Sequence, residues 1–333
     1  MAALHELVPA AQVVVRDILR VGDGENVLIV TDPGRPALCI EALAAVIATR
    51  GGRPSIVSMP AARVGGEEPP PAVAAAMAAA DVTIAAASYA LVHTDAFRQA
   101  LKGGRRLVEI WGLEEAAMLT GGLLADYRQV NALTSAVRTR LDRATRVRLR
   151  TPLGTDITLS IEGRRSFSLG GDVPAPGGFT SLPGGEAAIA PVEGSAEGVL
   201  VDPLVLERRD IGYRKEPFRA RIEGGRFVAV EGGREAKLFA EMLAEGDEGG
   251  RGIGEFAVGT NRWSVLDRIR EAKKAWGTAH VGIGDNLTLE GRTASRVHMD
   301  IVVLEPTVEV DDEVITEGGR LLVQAPEPGE AAV

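Results

Sequence analysis

The chain has 333 residues, 45% of them hydrophobic and 25% charged, which is enough for an ordinary globular protein with two separate cores. A formal charge of −9 argues against nucleic acid as a standing partner, because phosphate binding needs a basic surface. The single cysteine, Cys39, excludes an internal disulfide and a thiolate metal cluster.

The opening residues M-A-A-L-H-E-L-V-P-A-A-Q-V-V-V-R-D-I-L-R carry acidic and basic side chains at helical spacing, without the basic segment and cleavage site of an export signal. A cytoplasmic location is expected. N-V-L-I-V-T-D reads as a strand, followed by the helical run A-L-C-I-E-A-L-A-A-V-I-A-T-R, closed by Gly51-Gly52 and holding Cys39 as a small buried side chain. P-S-I-V-S-M, D-V-T-I-A-A-A-S and R-R-L-V-E-I-W-G read as further strands. The stretch from Ala72 to Val92 is apolar, but Asp81 at its middle would cost about 2.5–3.5 kcal/mol in a membrane, and a helix followed by a buried strand accounts for it. Residues 1–145 are therefore expected to form a Rossmann-like α/β domain with a mostly parallel sheet covered on both faces. The turn T-D-P-G-R-P lacks the G-x-G-x-x-G that would cradle a pyrophosphate. This half is expected to act as a scaffold or to form a homodimer, with His93 at the end of the third strand facing a substrate cleft.

From Arg146 the pattern changes. R-V-R-L-R-T-P-L-G-T-D-I-T-L-S-I-E reads as two strands, F-R-A-R-I-E-G-G-R-F-V-A-V as a hairpin, and V-E-V-D-D-E-V-I-T-E-G-G-R-L-L-V as another. Period-two alternation with helices around 234–246 and 264–275 predicts an α+β metal-binding domain over residues 146–325. Residues 326–333 have the composition of a flexible tail. Basic residues cluster around 138–150, where a solvated helix face leading into an exposed strand accounts for them. The loop S-F-S-L-G-G-D-V-P-A-P-G-G-F-T-S-L-P-G-G-E reads as a glycine-rich entry to a site, since it ends in Glu186.

Five donor side chains stand in short apolar, glycine-flanked segments: Glu186, Glu255, His280, His298 and Asp300. Imidazole and carboxylate together suit borderline divalent metals. His298 and Asp300 are separated by one residue, so on a strand they share a face and can reach one ion. Asp300 runs into Ile-Val-Val, where an unpaired carboxylate would be costly to bury and a metal would remove the cost.

The ordered segments P-G-G-E-A-A-I-A-P-V-E-G-S-A-E-G-V-L, G-I-G-E-F-A-V-G-T-N, A-H-V-G-I-G and V-H-M-D resemble the signature of the thermophilic aminopeptidase T family of metallopeptidases. That resemblance implies two divalent ions, zinc, cobalt or manganese, held by Glu186, Glu255, His280, His298 and Asp300. The same region resembles the dihydroxypyridine ring-cleaving dioxygenases, which share the fold and use one iron(II); E-G-S-A-E-G-V-L-V and I-E-G-G-R-F-V-A-V-E-G-G carry this likeness. Those dioxygenases lack a carboxylate in the glycine-rich turn and carry a histidine where this chain has Glu255. The donor set thus points to the two-metal hydrolase. Against it, the aminopeptidases carry a tyrosine shortly after the first histidine, whereas Asp285, Asn286 and Leu287 stand there and no tyrosine follows Tyr213.

The leading expectation is a metallohydrolase, aminopeptidase-like, acting on a small peptide or amide, with a metal-activated water attacking a polarised carbonyl. Glu186 or Glu255 would serve as base, and Arg262 or Arg296 would meet a substrate carboxylate. The alternatives are a mononuclear iron(II) dioxygenase, with His298 and Asp300 as retained ligands and a third from Glu255 or His280, and a non-catalytic metal-stabilised dimer.

Overall fold

The computed structural model describes residues 2–324 apart from Val64, Pro174 and Arg209. The tail expected at 326–333 lies outside the described residues. Contacts divide the chain into two units, Met1–Tyr127 with Gly171–Gly184, and Arg128–Gly170 with Gly185–Val333.

The first unit is built on a parallel five-stranded sheet in the order Arg53–Ser58, Asn26–Thr31, Val82–Ala85, Arg106–Glu109, Phe179–Ser181. Its central strands are apolar on both faces because helices cover both. Leu28 and Val30 pack with Met77 and Phe97 from the helices Pro71–Ala79 and Asp95–Lys102. Val27 and Ile29 of the same strand are equally buried and point the other way. The helix Ala37–Thr49 packs against the first helix, Leu4–Gln12, which continues as a π-helix over Val13–Ile18. The expected parallel sheet is therefore present.

Its fifth strand falls in the glycine-rich loop, which the sequence presents as an entry to the site and not as a strand. Phe179 sets its ring edge-on to Phe97, 5.8 Å between centroids, and this anchor gives three residues a place on the sheet.

The second unit holds two antiparallel sheets. One has eight strands and contains the hairpin Phe218–Glu223/Arg226–Gly232 and the pair Arg146–Arg150/Asp156–Ser160. The other has seven, in the order Gly212–Tyr213, Val205–Leu206, His298–Leu304, Thr278–Gly284, Ile253–Gly259, Glu186–Ile189, Ser166–Ser168. Alternate residues of the middle strands, among them Phe256, Val258, Val281, Ile283, Met299, Ile301 and Val303, enter one apolar core with Phe218 and Phe239. The residues between them form the opposite face, which carries the candidate site.

The helix expected at 264–275 shrinks to Ile269–Ala272. Side chains take the backbone donors ahead of it: Trp263 and Ser264 donate to Asn261 Oδ1, and Val265 donates to Glu271 Oε2. Such local bonds offer the backbone an alternative to helix.

Candidate metal centre

Four neighbouring antiparallel strands bring all five sequence-predicted donors to the face opposite the core. Register fixes the arrangement: Glu186 lies opposite Gly259, Glu255 opposite Gly282, Gly282 opposite Asp300, and Gly284 opposite His298. His280 lies two residues before Gly282 and therefore on the same face.

Two glycines make this possible. Ile253 and Glu255 are two apart, which would put both on one face of a regular strand. A bulge between them places Ile253 in the core and turns Glu255 to the site. Gly254 suits the bulge because a Cβ there would lie 2.6 Å from the Gly284 carbonyl. Gly282 keeps the centre of the face open, since its Cβ would lie 2.8 Å from Asp300 Oδ1 and 2.8 Å from the Glu255 Cβ.

Glu255, His298 and Asp300 each offer a ligand atom within 4.8 Å of the others. His298 Nε2 is 3.3 Å from Glu255 Oε2 and 3.4 Å from Asp300 Oδ1, while His280 Nε2 is 3.4 Å from Glu255 Oε1. His298 Nδ1 donates to the Asp285 carbonyl at 2.8 Å, which makes Nε2 the acceptor atom of the neutral ring and aims it at the carboxylates. This carbonyl belongs to the segment where the tyrosine of the aminopeptidases was sought. Asp300 Oδ1 is buried without a hydrogen-bond partner, as are Glu186 Oε2 and His280 Nδ1. Buried carboxylate oxygens left this way are costly unless a cation meets them. The donor set, in which Asp300 Oδ1 and Glu186 Oε2 have only the imidazoles of His298 and His280 at 3.4 and 3.7 Å, therefore fits a divalent first-row metal ion.

Two lysines that the sequence reading passed over lie under the same face. Lys273 Nζ bridges Asp300 Oδ2 at 2.5 Å and Glu207 Oε2 at 2.7 Å. Lys274 pairs with Glu186 Oε1. The available signal was the run E-A-K-K-A-W, two adjacent cations between alanines in the approach to His280. Glu207 gave none.

Burial opposes the charge of Lys273, but Asp300 and Glu207 outweigh it and hold the ammonium well above its ordinary range. Burial likewise opposes the Asp300 carboxylate, and Lys273 and the two histidines hold it well below its usual range. Glu255 is lowered to about 2, burial and the Asp300 charge being outweighed by its bonds to His280 and His298.

Arg262 and Arg296, expected to meet substrate, have partners of their own. The Arg262 guanidinium stacks over Trp276, 4.0 Å from the ring centre, and Arg296 points outward beside Asp247. His93 lies in the first unit, in the turn before Asp95–Lys102, and its carbonyl accepts from Arg98. None of the described helices is long and apolar enough to cross a membrane.

Residues 14–323 match the family model for 2,5-dihydroxypyridine 5,6-dioxygenase. Among solved structures the chain is similar to a 2,5-dihydroxypyridine dioxygenase from Pseudomonas putida KT2440, with a TM-score of 0.83 and 21% identity over 98% of this chain and 99% of that one. It is also similar to wild-type AmpT from Thermus thermophilus, with a TM-score of 0.70 and 18% identity over 97% and 100%. At such identities these two likenesses concern the fold alone. No curated protein matches the chain.

Proposed function

Since the chain belongs to the 2,5-dihydroxypyridine 5,6-dioxygenase family, we propose that it is an iron(II)-dependent ring-cleaving dioxygenase acting on a small dihydroxylated aromatic ring of the pyridine type. The observation that carries this reading is the family match along residues 14–323, which spans both units. The hydrolase expectation, with its aminopeptidase and metalloprotease description, is corrected by the same finding. The reason it misled is physical: a sheet face bearing histidines and carboxylates binds a divalent ion without fixing the reaction that follows. Glu186, which with Glu255 carried that expectation, has the Lys274 ammonium as a partner.

His298, Asp300 and Glu255 would hold the ion, with His280 bonded to Glu255 from the adjoining strand. An iron(II) ion there would supply the one-electron chemistry that lets dioxygen react with a closed-shell ring. The chain's own part is to exclude water and fix charge. Glu186, Glu255, His280 and Asp300 are almost wholly buried, whereas the His298 side chain is 23% exposed and marks the open side.

The test is oxygen uptake by anaerobically iron-loaded protein given 2,5-dihydroxypyridine, beside a His298→Ala/Asp300→Ala variant. Substrate-dependent uptake that the variant lacks is expected. A fully iron-loaded protein that consumes no oxygen with dihydroxypyridines or dihydroxybenzenes would overturn the proposal.

A further inference from the structure

We propose that Lys273 is a positioning residue which, tethered by Glu207, fixes Asp300 so that it offers an ion one oxygen, Oδ1, and not both. The inference rests on the reading of Glu255, His298 and Asp300 as ligands.

The two oxygens of Asp300 have different surroundings. Oδ2 takes the Lys273 ammonium at 2.5 Å, while Oδ1 is buried with no hydrogen bond and lies 3.4 Å from His298 Nε2. Lys273 is itself held from behind by Glu207 Oε2 at 2.7 Å. Glu207 is registered to the same strand as Asp300, because its backbone N–H donates to the Asp300 carbonyl at 2.8 Å. The three charged groups thus form a line anchored at both ends in the sheet. The Asp300 and Glu207 side chains are 1% and 8% exposed, and that of Lys273 is 18% exposed. A carboxylate bound through one oxygen to a partly buried ammonium cannot turn to present both oxygens to a metal without breaking a charge-assisted bond. A singly bound carboxylate leaves more of the metal's coordination sphere for other ligands. Outer partners of metal ligands that orient them in this way typically matter about 10- to 100-fold in affinity.

Cobalt(II) added to the metal-free full-length protein under anaerobic conditions provides the probe, because its visible absorption reports coordination number without any turnover. The wild-type protein is compared with Lys273→Met, Lys273→Arg and Glu207→Gln. Lys273→Met should bind cobalt about 10- to 100-fold more weakly and show weaker visible bands, as expected when Asp300 turns and adds a second oxygen. Lys273→Arg should stay nearer the wild-type spectrum, and Glu207→Gln should shift in the same direction by less. Wild-type bands in both Lys273→Met and Glu207→Gln would overturn the proposal, whatever happens to affinity, since a merely structural lysine would change affinity alone. Should Lys273→Met fail to fold by circular dichroism, Glu207→Gln decides the matter. A wild-type protein that takes up no cobalt would refute this inference together with the metal reading. A cobalt spectrum that responds to Lys273, in a protein that does not turn over dihydroxypyridine, would leave the clamp standing and remove the proposed reaction.

Discussion

Glu255 and Asp300 lie on strands that are not neighbours, and the only residue between them in the sheet, Gly282, has no side chain. Their carboxylates consequently share an open face flanked by His280 and His298. Two buried carboxylates with an empty position between them repel each other unless cations intervene. Here His298 stands between them, its Nε2 3.3 Å from Glu255 Oε2 and 3.4 Å from Asp300 Oδ1, while Lys273 takes the other Asp300 oxygen, Oδ2.

Gly282→Ala tests that empty position. A methyl group there would sit 2.8 Å from Asp300 Oδ1 and 2.8 Å from the Glu255 Cβ, closer than real Cβ contacts. The sheet is paired on both sides of Gly282, so the two acids must move apart. A loss of at least about tenfold in divalent-metal affinity is expected, as for other disturbances of ligand orientation, with the far-ultraviolet circular dichroism preserved. Calorimetric titration with cobalt would check it; unchanged affinity would show that the face has slack.

Metal affinity should also rise with pH. Burial opposes the charged form of His298, but Asp300 and Glu255 outweigh it and hold the imidazolium well above its ordinary range; His280 is raised by the same carboxylates. A metal ligand must be neutral, so the ion displaces protons that the free site holds. Affinity is therefore weak where the imidazoles are protonated and climbs as pH rises through their raised values, by up to about tenfold per pH unit for each proton released. Cobalt titrations in two buffers of different ionisation enthalpy would count the protons. Binding without proton release, at constant affinity from about pH 6 to about pH 8, would contradict this account.

The strands of both units were legible in the sequence because β-branched residues alternate or run together between glycine turns, as in N-V-L-I-V-T and H-M-D-I-V-V. The donor residues stood out as candidates for a related reason: a histidine or carboxylate inside an apolar strand needs a partner. The reaction was not legible. Glu186 weighed toward two ions when read alone, and only the fold places Lys274 against it. The strand at Phe179–Ser181 was missed because its stability comes from Phe97, some eighty residues away in sequence. Lys273 meets Glu207 because the helix Ile269–Ala272 ahead of it packs through Ala272 on Val205 and Val302 of the sheet, which no local pattern encodes.

The Lys274–Glu186 pair makes a stability prediction. Both side chains are almost wholly buried, 4% and 3% exposed. Removing one partner leaves an uncompensated buried charge, at a cost of about 3–5 kcal/mol, whereas replacing both by apolar groups can be nearly neutral. Lys274→Met alone should therefore shift the urea transition of the metal-free protein strongly downward, followed by the fluorescence of Trp263 and Trp276 in the same unit. Lys274→Met/Glu186→Leu should recover most of the loss. A double variant as unstable as the single one would show that the pair contributes through specific packing and not through charge compensation.

Asp32 plays a comparable part in the first unit, where it closes the end of the Asn26–Thr31 strand. Its buried carboxylate accepts from Ser88 N at 2.5 Å, Ser88 Oγ at 2.8 Å and Gly34 N at 2.8 Å. Burial opposes the charge, but the Ser88 and Gly34 bonds outweigh it and hold the group below the usual carboxylate range. A group depressed in the folded state contributes stability above its unfolded value, about 3.9, and loses it as pH falls through the lower folded value. Asp32→Asn replaces an oxygen that accepts hydrogen bonds with a nitrogen that cannot, at a cost of about 1–3 kcal/mol near neutral pH. Urea transitions of wild type and variant, followed by Trp111 fluorescence, should differ at neutral pH and converge in acid. A gap that stays constant down to about pH 2, below the unfolded value, would mean that the loss comes from shape and not from the carboxylate charge.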